Sequence, residues 1–381
     1  MDFNWTDEQL ARKQEAIEFA QCELNDDLLT RNHNGEWSWA AWRKCAEFGL
    51  LGLPIPTAYG GSATDILTTI LIMEGIGYGC RENGLPFALN SQMWSVQPAI
   101  LKFGAEAQKQ RYLPRLVSGE IIGAFGITEH ETGSDSYAMQ TSAQPVNGGY
   151  VLNGTKAYIT FAPIAEIAIV FATTDPKLRR WGITAFLVER GTKGFSTGPV
   201  REKMGLRTTP FSELILEDCF VPTANRLGPE GAGVSIFTTA MESERSYIFA
   251  SQLGAMERQL DECIAYARAR QSFGQPIGRF QSVSNRIADM KLRLETCRML
   301  LYKVAWLEQQ GKPLLQEAAL AKLHLSESFV QSSLDAIRIH GAKGYASEFE
   351  VERDLRDSVG GLIYSGTSDI QRNIVARLLG L

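Results

Sequence analysis

The chain has 381 residues, enough for two or three domains or one large elaborated one. Its 44% hydrophobic and 21% charged content describes an ordinary globular protein, and a net charge of −5 speaks against a nucleic-acid or anionic-membrane surface. No apolar run approaches the roughly 20 residues that span a bilayer, and MDFNWTDEQL has neither the basic nor the apolar region of a secretory signal.

Thr6 to Gln9 form a capping-box start for a first helix, with Leu10, Ile17, Ala20 and Leu24 expected on one face. Ser38 caps a second, carrying Trp39, Trp42 and Cys45 and stopping near Gly49. Pro54, Pro56 and Tyr59-Gly60-Gly61 break the pattern. Apolar helices are predicted over 64–77 and 91–103, and a charged one over 106–117. From 123 to 221 the period changes to strands, at 150–155, 167–173, 183–188 and 213–216, with no helical connections. That pattern argues for an antiparallel sandwich or barrel rather than βαβ units. The last third returns to long helices. Val283, Ile287, Met290, Leu294, Cys297, Leu301 and Val304 share one face of a helix ending at Gly311. Another runs to His340, Gly341 turns the chain, and a final helix reaches Leu381. The reading is α+β: an N-terminal helical domain over 1–120, a middle β-domain over 121–225 and a C-terminal four-helix bundle over 226–381.

Six scattered cysteines without a CxxC pair read as reduced thiols of a cytoplasmic protein. The four histidines make no paired-ligand spacing, so no metal site is expected, and no P-loop or dinucleotide glycine pattern occurs. Met241-Glu242-Ser243-Glu244-Arg245-Ser246 places two carboxylates in a helical stretch, turned to different sides. Either could be a solvated surface residue. A desolvated carboxylate there could instead serve as a general base.

Six stretches, in order, resemble the acyl-CoA dehydrogenases over nearly the whole chain: PIPTAYGG at 54–61, FGITEHETGSD at 125–135, LNGTKAYIT at 152–160, KMGLR at 203–207, RQSFGQPIGRFQ at 270–281 and YSGTSDIQR at 364–372. The resemblance implies the three-part fold, non-covalent FAD and a homotetramer. It implies flavin or substrate contacts for Phe125, Ile127, Thr128 and Ser134, and for Tyr158 and Thr160 on the flavin's other edge. There Phe161 replaces the family's usual Asn and leaves part of that edge less polar. It assigns Arg270, Phe273, Phe280 and Gln281 to the FAD pyrophosphate and adenine, often across a subunit boundary. Arg338, Gly341 and Ala342 would cradle the partner subunit's FAD, although Arg338 stands for a Gln and Ala342 for a Gly. Thr367 and Asp369 fit the adenosine- and phosphate-contacting turn.

Most members carry the catalytic Glu in a Tyr-Glu-Gly-Thr-Ser turn. This chain has Tyr364-Ser365-Gly366-Thr367-Ser368. A smaller branch places the Glu on a helix just before an Arg, which Glu244-Arg245 matches. The resemblance therefore implies Glu244 as the base for the α-proton, with the β-hydride going to flavin N5. Ser365 would still offer its main-chain N–H to the thioester carbonyl, because that donor is backbone. Glu242 and Arg245 match substrate-arm positions, and Glu129 a structural one. Trp94 and Gln97 lie on the helix that closes the acyl pocket, where a bulky ring and an amide suit a short, polar acyl group.

Within the family the chain resembles the branch that oxidises prolyl groups tethered to a carrier protein. That implies L-prolyl-S-carrier protein as substrate, a pyrroline-carboxyl or pyrrolyl thioester as product, and electron-transfer flavoprotein or oxygen as acceptor. A short or branched-chain acyl-CoA dehydrogenase is the alternative. A non-catalytic flavin-binding protein of the same fold is a third reading, separated from the others by whether a thioester bleaches the flavin.

Overall fold

The computed structural model describes residues 4–381. The N-terminal part is helical: α1 (Asp7–Glu23), α2 (Leu28–Asn34), α3 (Trp39–Glu47), α4 (Ile66–Gly79), α5 (Gly84–Ser91), a π-helical turn (Gln92–Val96), α6 (Gln97–Phe103) and α7 (Glu106–Val117). The Thr6 hydroxyl accepts from the Gln9 N–H at 3.2 Å, and the Gln9 amide oxygen accepts from the Thr6 N–H at 3.1 Å, closing the predicted capping box. The buried stripe of α1 runs through Ala16 and Ala20 to Leu24, whereas Leu10 is turned out and 47% exposed. The helix predicted over 91–103 is the end of a longer run that starts at Gly84. Its π turn inserts extra rotation, which redirects the side chains that follow.

The middle sheet contains β1 (Gly123–Gly126), β2 (Ser142–Val146), β3 (Gly149–Thr160), β4 (Ile167–Thr173), β5 (Ile183–Glu189), β6 (Phe195–Thr197), β7 (Phe211–Pro222) and β8 (Arg226–Leu227). The strands lie in the order β6-β7-β3-β2-β4-β5-β8, with β1 beside β4. The long ladders are antiparallel. Short β1 instead runs parallel to β4, pairing Gly123 with Ile167, and β2 meets β4 in parallel at Ser142 and Thr173. Strand β4 is continuously apolar because both its faces are covered.

The C-terminal part holds α8 (Gly233–Tyr247), α9 (Ala250–Ala269), the small hairpin β9 (Gln271–Ser272) and β10 (Gln275–Pro276), α10 (Gln281–Gln309), α11 (Leu315–His340), α12 (Ala342–Tyr345), α13 (Val351–Gly360) and α14 (Ser368–Leu378). Met290, Leu294, Cys297, Leu301 and Val304 form the buried stripe of α10, as the periodicity predicts. N-terminal and C-terminal helices share one core. Helix α4 crosses α9 so closely that a Cβ on Gly77 would lie 1.7 Å from the Ser251 carbonyl oxygen. Among the described residues no helix is long and apolar enough to cross a membrane.

Candidate active site

Helix α8 begins at the molecular surface and ends in the core. Its last turn carries Glu244, 9% exposed, and Tyr247, fully buried. Two hydroxyls hold the Glu244 carboxylate, one on each oxygen. Ser95 Oγ donates to Oε2 at 2.5 Å, and Ser365 Oγ donates to Oε1 at 2.5 Å. Burial pushes the Glu244 carboxyl above the ordinary range, while the Ser365 and Ser95 hydrogen bonds and the Arg245 charge pull it back. The result is a desolvated carboxylate with fixed geometry.

Three separate parts of the chain supply this cluster. Ser365 comes from the turn before α14 and sits at φ +53, a left-handed conformation next to Gly366 at φ +83. Ser95 comes from the π turn between α5 and α6. Sequence reasoning missed Ser95. The pocket helix was legible, but the direction of Ser95 is set by the π turn, which leaves no periodic trace.

Around the carboxylate lie polar groups without protein partners. The Arg245 guanidinium is 9% exposed, and its Nε has no hydrogen-bond partner among the described residues. Burial lowers its pKa against the charges of Glu244 and Glu242. Gln97 is fully buried, with both amide atoms unpartnered. Trp94 is 2% exposed; its Nε1 donates to Asn90 Oδ1 at 3.0 Å, and its ring lies 4.9 Å from that of Tyr247. Glu242 is half-buried on another side of α8 and joins no hydrogen bond among the described residues. An unpartnered buried amide or guanidinium costs stability unless a ligand completes it.

The stretch FGITEHETGSD follows β1 along β3. The Thr128 carbonyl accepts from the Ala157 N–H at 2.8 Å, which brings Ile127 and Thr128 beside Tyr158 and Thr160. Phe125 packs its ring 5.1 Å from Phe171. Tyr158, at φ +58, leaves its ring 57% exposed, while the Thr132 hydroxyl is buried without a partner. An exposed ring and an unused hydroxyl on one edge fit a planar, polar ligand such as the expected flavin. Ser134 is exposed, and no hydrogen bond ties it to the Glu244 cluster among the described residues. Glu129 is structural: it accepts from the Thr141 N–H at 2.9 Å and from Gln140 N at 2.6 Å, and pairs with buried Lys156 at 2.8 Å. Burial alone would raise its pKa, but Lys156 and these donors hold it below the ordinary range.

Phe161 departs from the expectation of a flavin edge. It is 1% exposed, with Trp37 at 5.5 Å and Trp42 at 5.8 Å, so its apolar ring extends the core toward α3. The remaining expected cofactor residues form a second, exposed group. Phe273 is 94% exposed and 6.1 Å from Phe280; Arg270 and Gln281 flank them at the surface. Tyr266 stacks on His340 at 4.3 Å, bringing Arg338, Gly341 and Ala342 alongside. Arg338 is bonded to Asp335 at 3.2 Å. The Thr367 hydroxyl caps α14 by accepting from the Ile370 N–H at 3.2 Å, and Asp369 pairs with Arg372 at 3.1 Å.

Helical flanks around a central sheet, with a buried, doubly hydrogen-bonded carboxylate and an exposed aromatic edge on the sheet, are the architecture of a flavoprotein dehydrogenase. The chain matches the acyl-CoA dehydrogenase N-terminal domain over residues 6–120, the middle domain over 124–219 and the C-terminal domain over 231–380, and it belongs to that family. An L-prolyl-(peptidyl-carrier protein) dehydrogenase from a Serratia species is 42% identical over 381 residues, covering 100% of this chain and 99% of the relative. The crystal structure of the prolyl acyl carrier protein oxidase AnaB superposes with a TM-score of 0.98 at 47% identity, covering 99% of this chain and 100% of AnaB. A structure of PigA with FAD and proline superposes with a TM-score of 0.97 at 42% identity, covering both chains completely.

Proposed function

We propose that this chain is an FAD-dependent dehydrogenase of an acyl thioester, with L-prolyl-S-carrier protein as substrate and natural-product biosynthesis as its setting. The observation that carries the reading is the Glu244 carboxylate, buried and held by Ser95 and Ser365 at 2.5 Å each. Glu244 takes the proton from the carbon next to the thioester carbonyl. Its raised pKa brings it closer to the pKa of a weak carbon acid than an exposed carboxylate would be. Bound FAD supplies the hydride acceptor.

Acidifying that carbon requires polarising the thioester carbonyl. Among the described residues the Ser365 N–H has no acceptor within the protein, which supports its use as an oxyanion donor. Trp94 leaves little room for a long chain, and the unpaired Gln97 amide supports a polar, short acyl group such as a prolyl ring. Arg245 and Glu242 would line the path of the substrate arm. Phe125, Ile127, Thr128, Tyr158 and Thr160 would border the flavin. The exposed group at Phe273 and Gly341 would meet a second subunit's FAD in a homotetramer, a reading supported by Phe273 standing 94% exposed. Electrons would leave to an electron-transfer flavoprotein or to oxygen.

The test is anaerobic mixing of the FAD-loaded enzyme with prolyl-carrier protein, isobutyryl-CoA and isovaleryl-CoA, read as flavin bleaching. Bleaching by prolyl-carrier protein alone is expected. Turnover of the CoA thioesters with none of the prolyl substrate would make the chain a branched-chain acyl-CoA dehydrogenase instead. Flavin that no thioester bleaches would leave only a binding role.

A further inference from the structure

We propose that the loop Pro176–Gly182, between β4 and β5, is the docking surface for the carrier protein, an acidic partner whose phosphopantetheine arm enters beside it. The inference rests on the substrate reading above. Pro176-Lys177-Leu178-Arg179-Arg180-Trp181 are all exposed, Leu178 by 54% and Trp181 by 58%. The chain carries a net charge of −5, yet Lys177, Arg179 and Arg180 join no ion pair among the described residues. The Arg180 guanidinium lies 4.7 Å from the Trp181 ring centroid, making a joint cationic and aromatic face. An exposed Trp framed by cations is the composition of an interface anchor rather than of solvated surface.

The loop has a fixed shape. The Gly182 carbonyl accepts from Thr174 N at 2.7 Å and from Thr174 Oγ1 at 3.0 Å, and Asp175 Oδ1 accepts from Lys177 N at 2.9 Å. Side chains on a preorganised loop lose less freedom when a partner binds.

Position completes the argument. The loop packs on the turn Ser136–Ala138 and on the start of α8, where a Cβ on Gly231 would lie 2.7 Å from the Trp181 carbonyl oxygen. From Gly233, α8 leads inward to Glu244, about 16 Å at 1.5 Å per residue. Tyr137 and Phe237 meet edge to face at 6.2 Å along this route, and the Tyr137 hydroxyl is near enough to act on Arg245 electrostatically. An extended phosphopantetheine arm has a reach of the same order. Its phosphodiester, the fixed negative charge where the arm leaves the carrier, would then fall at the loop. A partner with an acidic face would be steered toward such a cationic patch on a chain whose net charge is −5.

The experiment compares wild type with the triple variant Lys177→Glu, Arg179→Glu, Arg180→Glu and with Trp181→Ala, all FAD-loaded, on prolyl-carrier protein and on prolyl-pantetheine. The expected result is a fall of about tenfold or more in kcat/KM for prolyl-carrier protein, carried by KM, together with a flatter salt dependence in the triple variant. Prolyl-pantetheine, which has no protein to dock, should keep its kcat/KM. Equal losses on both substrates, or an unchanged kcat/KM for the carrier substrate, would overturn the docking surface alone. A wild type that ignores prolyl-carrier protein would remove the substrate reading, and the docking proposal with it.

Discussion

Glu244 is the residue proposed as the base, and its two serine partners make separate predictions. Replacing it by Gln keeps the shape and removes the base, so turnover should fall by roughly 10²–10⁴-fold with flavin still bound. Flavin absorbance and kcat measured on the same sample check this, and wild-type turnover would exclude Glu244. The hydroxyls of Ser95 and Ser365 favour the ionised carboxylate, because a donor stabilises the form that accepts. Removing either should raise the carboxyl further. If the ionised form is the active one, the acidic limb of the kcat–pH profile should move to higher pH in Ser95→Ala and in Ser365→Ala. Ser95→Thr keeps a hydroxyl and should restore the limb. A loss of kcat without a shifted profile would reduce both serines to packing. Ser365, in the turn before α14, donates a hydrogen bond to the carboxylate proposed as base.

At the scale of elements, the crossing of α4 and α9 joins the N-terminal and C-terminal helices, and beside it Asn90 Nδ2 of α5 donates to Ser251 Oγ of α9 at 3.1 Å. Gly254 faces Gly77 across it: a Cβ on Gly254 would lie 1.9 Å from the Glu74 carbonyl oxygen and 2.4 Å from the Tyr78 nitrogen. Both contacts are backbone, which cannot swing aside. Gly254→Ala should therefore separate the helices and lower the melting temperature by roughly 5 °C or more. Thermal denaturation followed by circular dichroism tests it, and an unchanged midpoint would show that the helices can move apart without cost.

Across the whole molecule, N-terminal and C-terminal parts are joined by buried charge. Glu74 on α4 is fully buried and pairs with Lys13 of α1 at 2.9 Å and with Arg298 of α10 at 2.7 Å, and it accepts from the Tyr302 hydroxyl at 2.6 Å. Burial would raise the Glu74 carboxyl, but Arg298 and then Lys13 hold it below the ordinary range. A lowered carboxyl contributes stability above its unfolded pKa, and that contribution is lost as pH falls through the folded value. Glu74→Gln should cost about 1–3 kcal/mol at neutral pH, because Lys13 and Arg298 lose their most buried partner while Glu257, and for Arg298 also Glu295, still pairs with them, and the cost should shrink in acid. Denaturant titrations at neutral and acidic pH measure both, and an equal cost at the two would contradict the charge argument. A second seam joins all three parts. Asn83 Nδ2 donates to Asp354 Oδ1 at 2.9 Å, the Leu206 N–H donates to Asp357 Oδ1 at 2.6 Å, and Thr208 Oγ1 donates to Glu82 Oε2 at 2.5 Å.

The sequence by itself determined the order of helical, β and helical parts, the stripe of α10 and the first helix cap, because each is written in local spacing. It also marked Glu244 as the candidate base. Ser365 in the turn and Glu244 before Arg245 are adjacent-residue patterns that need no contact to be legible. Only the tertiary structure decided what meets Glu244. Ser95 is 149 positions away and Ser365 is 121, and a π turn and a left-handed residue aim them. Phe161 and Leu10 were misjudged for the same physical reason. Periodicity along a chain reports which face is apolar, while burial depends on whether another element, such as α3 with its tryptophans, arrives to cover it.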